Sequence, residues 1–167
     1  MRELSDKREI VPIVSPSVQN TDTRFGRASD TLEALIGICG REPVRSVREA
    51  EPLGPASPLE ALIICPCTGN TLAKLANGIT DTAVTMAAKA HLRNDRPLII
   101  ALASNDALSQ NLKNLAVLLC RKNVFFVPFG QDDAYGKPYS LVSDFSLTAE
   151  TLKRAEMGEQ LQPILLR

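Results

Sequence analysis

Three short, mostly apolar runs constrain the fold of this chain more than any other feature. They span residues 61–65, 97–103 and 123–128. Runs of this length and composition are typical of strands that are buried on both faces, as they are in parallel sheets. Segments with helical spacing of apolar residues lie between and beyond them, at residues 28–39, 69–76, 81–92, 106–121 and 147–157. This alternation predicts an α/β fold in which a parallel sheet is wound in right-handed crossovers.

Weaker signals cover the rest of the chain. A β-branched run at residues 9–14 predicts a strand that ends in a polar loop. The proline-rich stretch 42–58 predicts a loop with a short strand at residues 44–47. Residues 161–166 are predicted to form an extended tail. A length of 167 residues predicts a single domain that covers residues 1–167.

The composition excludes several classes of function. Lys+Arg and Asp+Glu are balanced at 19 each, so no basic excess favours nucleic acid or an anionic membrane. No apolar run has the length of a membrane span, and the polar start does not resemble a signal peptide, which predicts a cytoplasmic protein. The chain has one histidine, and Cys65 and Cys67 are separated by a single residue. That spacing does not suit zinc, so no metal site is predicted.

Polar residues follow the strand predicted at residues 61–65, where a helix is predicted to begin. Thr68 and Asn70 place a hydroxyl and an amide there, and Gly69 lets the backbone approach a ligand closely. Free backbone N–H groups at a helix start favour an anion or another polar ligand. A helix N-cap made by Thr68 or Asn70, with nothing bound, explains the same residues equally well.

A second polar corner, Ser104-Asn105-Asp106, follows the strand predicted at residues 97–103. Asp106 is suited to cap the helix that comes after it. Ligands of open α/β sheets bind outside the carboxyl ends of the strands. Two polar corners on neighbouring strands are therefore expected to line one crevice.

Other candidate residues have simpler explanations. Asp132 and Asp133 follow the last strand and could act as acid and base, but such a pair in a polar loop is more often solvated. The single histidine, His91, is predicted at a helix C-terminus on the surface, where the helix dipole favours it. Ser15 and Arg24 follow the first strand and suit a phosphate or carboxylate, or simply an exposed loop. The sequence contains neither a Gly-x-Gly-x-x-Gly nor a Walker loop.

One string of residues resembles the motif of a known family. Residues 66–71 (Pro-Cys-Thr-Gly-Asn-Thr), followed by residues 74–81 (Lys-Leu-Ala-Asn-Gly-Ile-Thr-Asp), resemble the Pro-Ala-Ser-Ala-Asn-Thr motif. That motif belongs to the flavoprotein family, which includes the homo-oligomeric flavin-containing cysteine decarboxylases. The resemblance covers nearly the whole chain and extends through residues 14–15, 19–26, 50–55, 104–108 and 126–133.

The resemblance implies a three-layer, flavodoxin- or Rossmann-like parallel sheet, FMN as cofactor and a homo-oligomer. It implies a role in making dipicolinate (pyridine-2,6-dicarboxylate) from a dihydrodipicolinate-pathway precursor during sporulation, in the mother cell. It also implies two partners: a small-molecule dicarboxylate substrate, and the separate A subunit of dipicolinate synthase, which resembles a nicotinamide-dependent dehydrogenase. By position, Thr68 stands for the serine that contacts flavin, Asn70 for the motif asparagine and Asn105 for the asparagine of a Pro-x-Met-Asn substrate clamp. No catalytic residue is assigned, and the implied cofactor-binding residues are Ser15, Cys67, Thr68, Gly69, Asn70, Thr71, Ser104 and Asn105.

The departures from the family pattern limit what the resemblance implies. The decarboxylases carry a catalytic histidine shortly before the motif strand, but residues 51–59 contain none. Ser104 replaces the methionine of the clamp. The usual first strand and its Gly/Ser-rich phosphate loop are expected to be absent, because Met1 leads directly into the helix before the second strand. Decarboxylation is therefore not carried over. A non-catalytic assembly protein without flavin and, less favoured, a stand-alone FMN-dependent decarboxylase are the alternatives.

Overall fold

The three apolar runs form the parallel part of the sheet, as predicted. The computed structural model describes residues 2–23 and 26–166. In it, β1 (Leu62–Cys67), β2 (Leu98–Ser104) and β3 (Val124–Phe126) run parallel, with β2 between the other two. The register sets Ile64 beside Ile100 and Ile100 beside Phe126, and all three of these side chains are buried.

Two short antiparallel strands extend the sheet beyond its predicted part. β4 (Phe129–Gly130) pairs with β5 (Leu141–Ser143), and β5 pairs with the carboxyl end of β2. The order is β1-β2-β5-β4, with β3 also beside β2. Ser143 closes the gap next to β3, because its hydroxyl accepts from the N–H of Leu102 (2.8 Å) and donates to the C=O of Val127 (3.0 Å). The sheet is therefore mixed, while the predicted α/β class is confirmed.

The helices include two that have the predicted bounds. One is α3 (Ala28–Cys39), which is followed by Gly40 in the left-handed conformation (φ 66°) that favours glycine, and the other is α5 (Gly69–Ala76). The full set is α1 (Arg2–Ser5), α2 (Pro16–Asn20), α3 (Ala28–Cys39), α4 (Val47–Ala50), α5 (Gly69–Ala76), α6 (Ala83–Leu92), α7 (Leu112–Leu119) and α8 (Thr148–Glu156), with 3-10 turns at Glu51–Leu53 and Phe145–Leu147. The tail predicted at residues 161–166 contains bends at Gln162 and Ile164, and its Leu165 forms a single bridge with Phe129 of β4.

Side chains of β2 alternate between two hydrophobic clusters. Leu98, Ile100 and Leu102 pack with apolar residues of α5, α6 and α7, whereas Ile99 and Ala101 pack with apolar residues of α8. Successive side chains of a strand point to opposite faces of a sheet, so the helices lie on both faces. The predicted three-layer arrangement is confirmed.

The strands predicted at residues 9–14 and 44–47 do not form. A single bridge joins Ile13 to Val44, and the N–H of Val44 donates to the C=O of Pro12 (2.8 Å). Pro12 has no N–H to continue a ladder, which explains why the pairing stops at one bridge.

β1 is paired on one side only within residues 2–23 and 26–166, where β2 is its partner strand. No helix in the same two ranges is long and apolar enough to cross a membrane.

His91 lies in the core, so the prediction of a surface histidine is wrong. The residue is 0% exposed, and its Nε2 lies 2.9 Å from the C=O of Pro97. Because a carbonyl only accepts, Nε2 carries the proton, and the buried Nδ1 has no hydrogen-bond partner among the described residues. Ala87 and Ala88 precede His91 by four and three positions on α6 and are also fully buried. The small residues on this face allow α6 to pack close to the sheet, so the imidazole of His91 is buried in the core.

The stability of the protein is expected to fall between pH 7 and pH 5.5 because of His91. Burial lowers the pKa of His91, opposed by its hydrogen bond to Pro97. The unfolded chain therefore binds a proton near pH 6.5 that the folded chain binds less readily, so acidification favours unfolding, by at most about 1 kcal/mol over this range. His91→Gln keeps a donor for Pro97 and should abolish the effect, since the chain has one histidine. Urea titrations at the two pH values measure it, and an imidazole pKa at or above 6.5 by NMR would contradict it.

Candidate functional site

The residues of the predicted motif lie where β1 passes into α5. Thr68 holds the cap position in extended conformation, but within the described residues its side chain makes no capping hydrogen bond. The first helical hydrogen bond runs from the N–H of Leu72 to the C=O of Thr68 (2.9 Å). The N–H groups of the first turn therefore lack a side-chain cap, and the sequence-based alternative of a Thr68 or Asn70 cap is not observed.

Gly69 allows the first turn of α5 to pack directly on the loop after β2. A β-carbon at this position would lie 2.5 Å from Oγ of Ser104, 2.7 Å from Nδ2 of Asn111 and 2.7 Å from Oδ1 of Asp106. These distances are too short for a side chain of any size. The glycine is thus required by the close approach of α5 to polar side chains.

Asp106 is held by side chains and does not cap α7. Its Oδ1 accepts from Oγ of Ser104 (2.5 Å) and its Oδ2 accepts from Nδ2 of Asn111 (2.8 Å). The helix predicted to begin at residue 106 begins only at Leu112, and residues 105–111 form turns instead. The hydrogen bond from Ser104, and then that from Asn111, hold the pKa of Asp106 below its ordinary value, against the effect of burial. Asp106 is therefore ionised at neutral pH.

A chain of asparagines continues the hydrogen bonds from Asp106 to the end of α5. Asn114 donates to Oδ1 of Asn111 (2.9 Å), and Asn77 donates to Oδ1 of Asn114 (3.2 Å). Asn111 and Asn114 are each 7% exposed, so these bonds satisfy buried polar groups. Sequence analysis did not single out either residue. The signal was a pair of asparagines three positions apart in the leucine-rich segment that the sequence predicts as a helix at residues 106–121.

An open cleft of about 360 Å³ lies at the carboxyl ends of β1 and β2. We call it the strand-end cleft, and its lining residues are Thr68, Gly69, Asn70, Ala103, Ser104, Asn105, Asp106 and Val142. The two polar corners line one crevice, as the sequence predicts. Val142 comes from β5, a strand that was not predicted.

Three of the predicted cofactor-binding residues lie outside the lining of the strand-end cleft. Cys67 is fully buried, and burial raises the pKa of its thiol to about 12. Thr71 is half-buried on the first turn of α5, with its hydroxyl 3.5 Å from that of Thr68. Ser15 caps α2, where its Oγ accepts from the N–H of Val18 (3.4 Å). The structure therefore brings together Thr68, Gly69, Asn70, Ser104 and Asn105.

The remaining candidates do not line the strand-end cleft. Asp132 is exposed and pairs with Lys137 (2.9 Å), which holds the pKa of Asp132 below its ordinary value. Asp133 is exposed and accepts from the N–H of Gly136 (2.8 Å). These contacts agree with the solvated interpretation of this loop. Arg24 lies outside the described residues.

Comparison with known proteins identifies the family. Residues 27–149 match the sequence profile of the Flavoprotein family. The chain belongs to the flavoprotein family. It is 45% identical over 163 residues to the B subunit of dipicolinate synthase from Bacillus subtilis (strain 168), a match that covers 98% of this chain and 82% of that protein.

Solved structures of flavoproteins share the fold. The crystal structure of the B subunit of dipicolinate synthase from Bacillus halodurans is 42% identical and matches with a TM-score of 0.88, over 95% of this chain and 82% of that one. A dodecameric FMN-dependent UbiX-like decarboxylase from Escherichia coli O157:H7 matches with a TM-score of 0.59 at 22% identity, over 76% of this chain and 69% of that one. The second likeness concerns the fold alone. The flavoprotein resemblance and the flavodoxin-like fold predicted from the sequence are confirmed.

Proposed function

We propose that this chain is the flavoprotein-like B subunit of a dipicolinate synthase. It acts with the dehydrogenase-like A subunit to make dipicolinate from a dihydrodipicolinate-pathway precursor during sporulation. The observation that carries the proposal is the 45% identity to a protein of that name over 98% of this chain. The strand-end cleft, at the place where open α/β sheets bind ligands, gives the proposal a site.

Residues of the strand-end cleft fit the polar ring of a flavin. Among the described residues no side chain caps the first turn of α5, so its backbone N–H groups are available to donate to a bound ring. Thr68, Asn70 and Asn105 are exposed and offer a hydroxyl and two amides. FMN, when bound, supplies redox chemistry. These side chains would orient its ring, and Ser104 would position Asp106 beside it.

Cys67 and Ser15 take different places in this proposal. Cys67 supports the motif from the core, since its thiol is buried and its pKa is about 12. Ser15 is retained as a phosphate-side residue only through the family resemblance, because its hydroxyl is engaged at the start of α2. Thr71 supports Thr68 from the same turn.

Binding of FMN tests the cleft part of the proposal. Titration of the purified chain should quench flavin fluorescence, and Asn70→Ala should weaken binding about tenfold, the effect of one lost hydrogen bond. Asn20→Ala, at the exposed end of α2 and outside the cleft, is the matched control and should bind FMN like the unaltered chain. Equal binding by the Asn70→Ala chain would contradict the assignment of Asn70.

A non-catalytic assembly protein is the second candidate function. It is favoured by one observation, that none of the cleft-lining residues in the described part of the chain is basic, so no cationic side chain there pairs with a phosphate. A stable complex with the dehydrogenase-like subunit, formed by a protein that binds no FMN, would support it. A stand-alone decarboxylase is less favoured and requires carbon dioxide release that is lost in the Asn70→Ala chain.

We also propose a homo-oligomer in the cytoplasm of the mother cell. A dodecameric protein of the same fold supports assembly. Helix α7 also leaves apolar surface available for contacts between copies of the chain, since its Leu112, Val117 and Leu119 are 48%, 53% and 41% exposed. A monomer by light scattering would contradict the oligomer, and a fluorescent fusion confined to the forespore would contradict the location.

A further inference from the structure

The charge of the strand-end cleft comes from one side chain. Asp106 is the single ionisable residue among those that line the cleft in the described part of the chain. Its carboxylate lies beside the first turn of α5, because Oδ1 is 2.7 Å from the place where a β-carbon of Gly69 would be. The free N–H groups of a helix start carry partial positive charge and attract anions. The carboxylate of Asp106 therefore already supplies a negative charge beside the first turn of α5.

We propose that Asp106 is a specificity-determining residue of the strand-end cleft, which admits a neutral or cationic hydrogen-bond donor beside the first turn of α5 and repels carboxylate and phosphate groups. The inference rests on the proposed function, since it concerns the ligands of the same cleft. A heterocycle would bind there through a ring N–H. Its carboxylates or phosphate would lie away from the corner formed by Ser104 and Asp106.

The position of the carboxylate is set from two sides. Ser104 and Asn111 each donate to a different oxygen, so rotation of the carboxylate would break one of the two bonds. Asn114 holds the amide of Asn111 in turn, and both asparagines are 7% exposed. Buried and satisfied networks of this kind keep one geometry. The carboxylate of Asp106 therefore keeps its position when an anionic ligand enters the cleft, and it repels that ligand.

Relative affinities for an uncharged and a doubly negative ligand test the inference. The probes are riboflavin, followed by its fluorescence, and pyridine-2,6-dicarboxylate, followed by calorimetry, with the full-length protein. Asp106→Asn should bind the dicarboxylate about tenfold more tightly relative to riboflavin, because a like charge at close range is removed. Asp106→Ser is a second neutral variant whose smaller side chain guards against misfolding. Asp30→Asn, an exposed site on α3, removes the same charge far from the lining residues and should leave the ratio unchanged.

The outcomes separate this inference from the proposed function. If both ligands bind and both Asp106 variants leave the ratio within about twofold of the unaltered chain, the inference is wrong while a flavin cleft stands. A change of the same size in Asp30→Asn also overturns it, because the effect is then one of net charge. If riboflavin binds and neither the unaltered chain nor any Asp106 variant binds the dicarboxylate, the inference is wrong as well. If no protein binds either ligand, the flavin cleft and the inference fail together, while the rate of dipicolinate synthesis tests the proposed function separately.

Discussion

Gly69→Ala is expected to lower the free energy of unfolding by about 1–3 kcal/mol, the cost of overpacking a well-packed site. The added methyl would lie 2.5 Å from Oγ of Ser104 and 2.7 Å from Oδ1 of Asp106, so these side chains, α5 or the loop after β2 must shift. The same shift should lengthen the bond from Ser104 to Asp106. Because that bond favours the charged carboxylate, its loss should raise the pKa of Asp106. Urea denaturation measures the first effect and carbon-13 NMR of the carboxyl measures the second.

Gly37→Ala is the matched control and should change the free energy of unfolding in the opposite direction. Gly37 lies inside α3, is exposed, and has nothing within 4 Å of the place where its β-carbon would be. Alanine is the better helix former, so this variant should be more stable by roughly 0.5–1 kcal/mol. Equal stability of the Gly69→Ala and Gly37→Ala chains would show that the contact between α5 and the loop after β2 is not tight.

The meeting of the two polar corners could be predicted because it follows from topology. Parallel strands end at the same edge of a sheet, so residues after β1 and β2 must be neighbours. Apolar runs identified both strands, and helical spacing placed α5 correctly. Thr68, Gly69, Asn70, Ser104 and Asn105 line one cleft for this reason.

The burial of Cys67 could not be predicted from the motif, although Cys67 is the last residue of β1 and directly precedes Thr68 of the cleft. The pairing of β1 with β2 shifts register between Ile64 and Cys67, so simple alternation of faces does not hold there. Cys65 is exposed and Cys67 is buried as a result. A register shift depends on both strands together and leaves no periodic signal in either.

Other differences between the sequence-based prediction and the structure also arise from tertiary contacts. β4 and β5 are two and three residues long, too short to show alternation, and they form because β2 continues past the end of β3. His91 has the sequence position of a surface histidine, but the small residues of its helix face draw it inside. The helical spacing predicts that α7 begins at residue 106. In the structure, however, the carboxylate of Asp106 accepts hydrogen bonds from Ser104 and Asn111, and the helix begins later. In each case a contact distant in sequence or specific to one side chain decides the structure.

The largest expected effect is on the rate of dipicolinate synthesis, because the proposed function makes this chain necessary for the activity of its partner. The dehydrogenase-like subunit of the same organism, its nicotinamide cofactor and the dihydrodipicolinate-pathway precursor would be assayed with and without this chain. Asn70→Ala should lower the stimulated rate, whereas Gly37→Ala should leave it unchanged, since α3 contributes no residue to the strand-end cleft. A rate that falls equally in both variants would indicate a loss of folded protein.

The measurement that tests the central claim most directly is the rate of pyridine-2,6-dicarboxylate formation, followed by chromatography. We predict a rate at least about tenfold higher with this chain present than with the dehydrogenase-like partner alone. The same rate from that partner by itself, unaffected by addition of this chain, would contradict the proposed function.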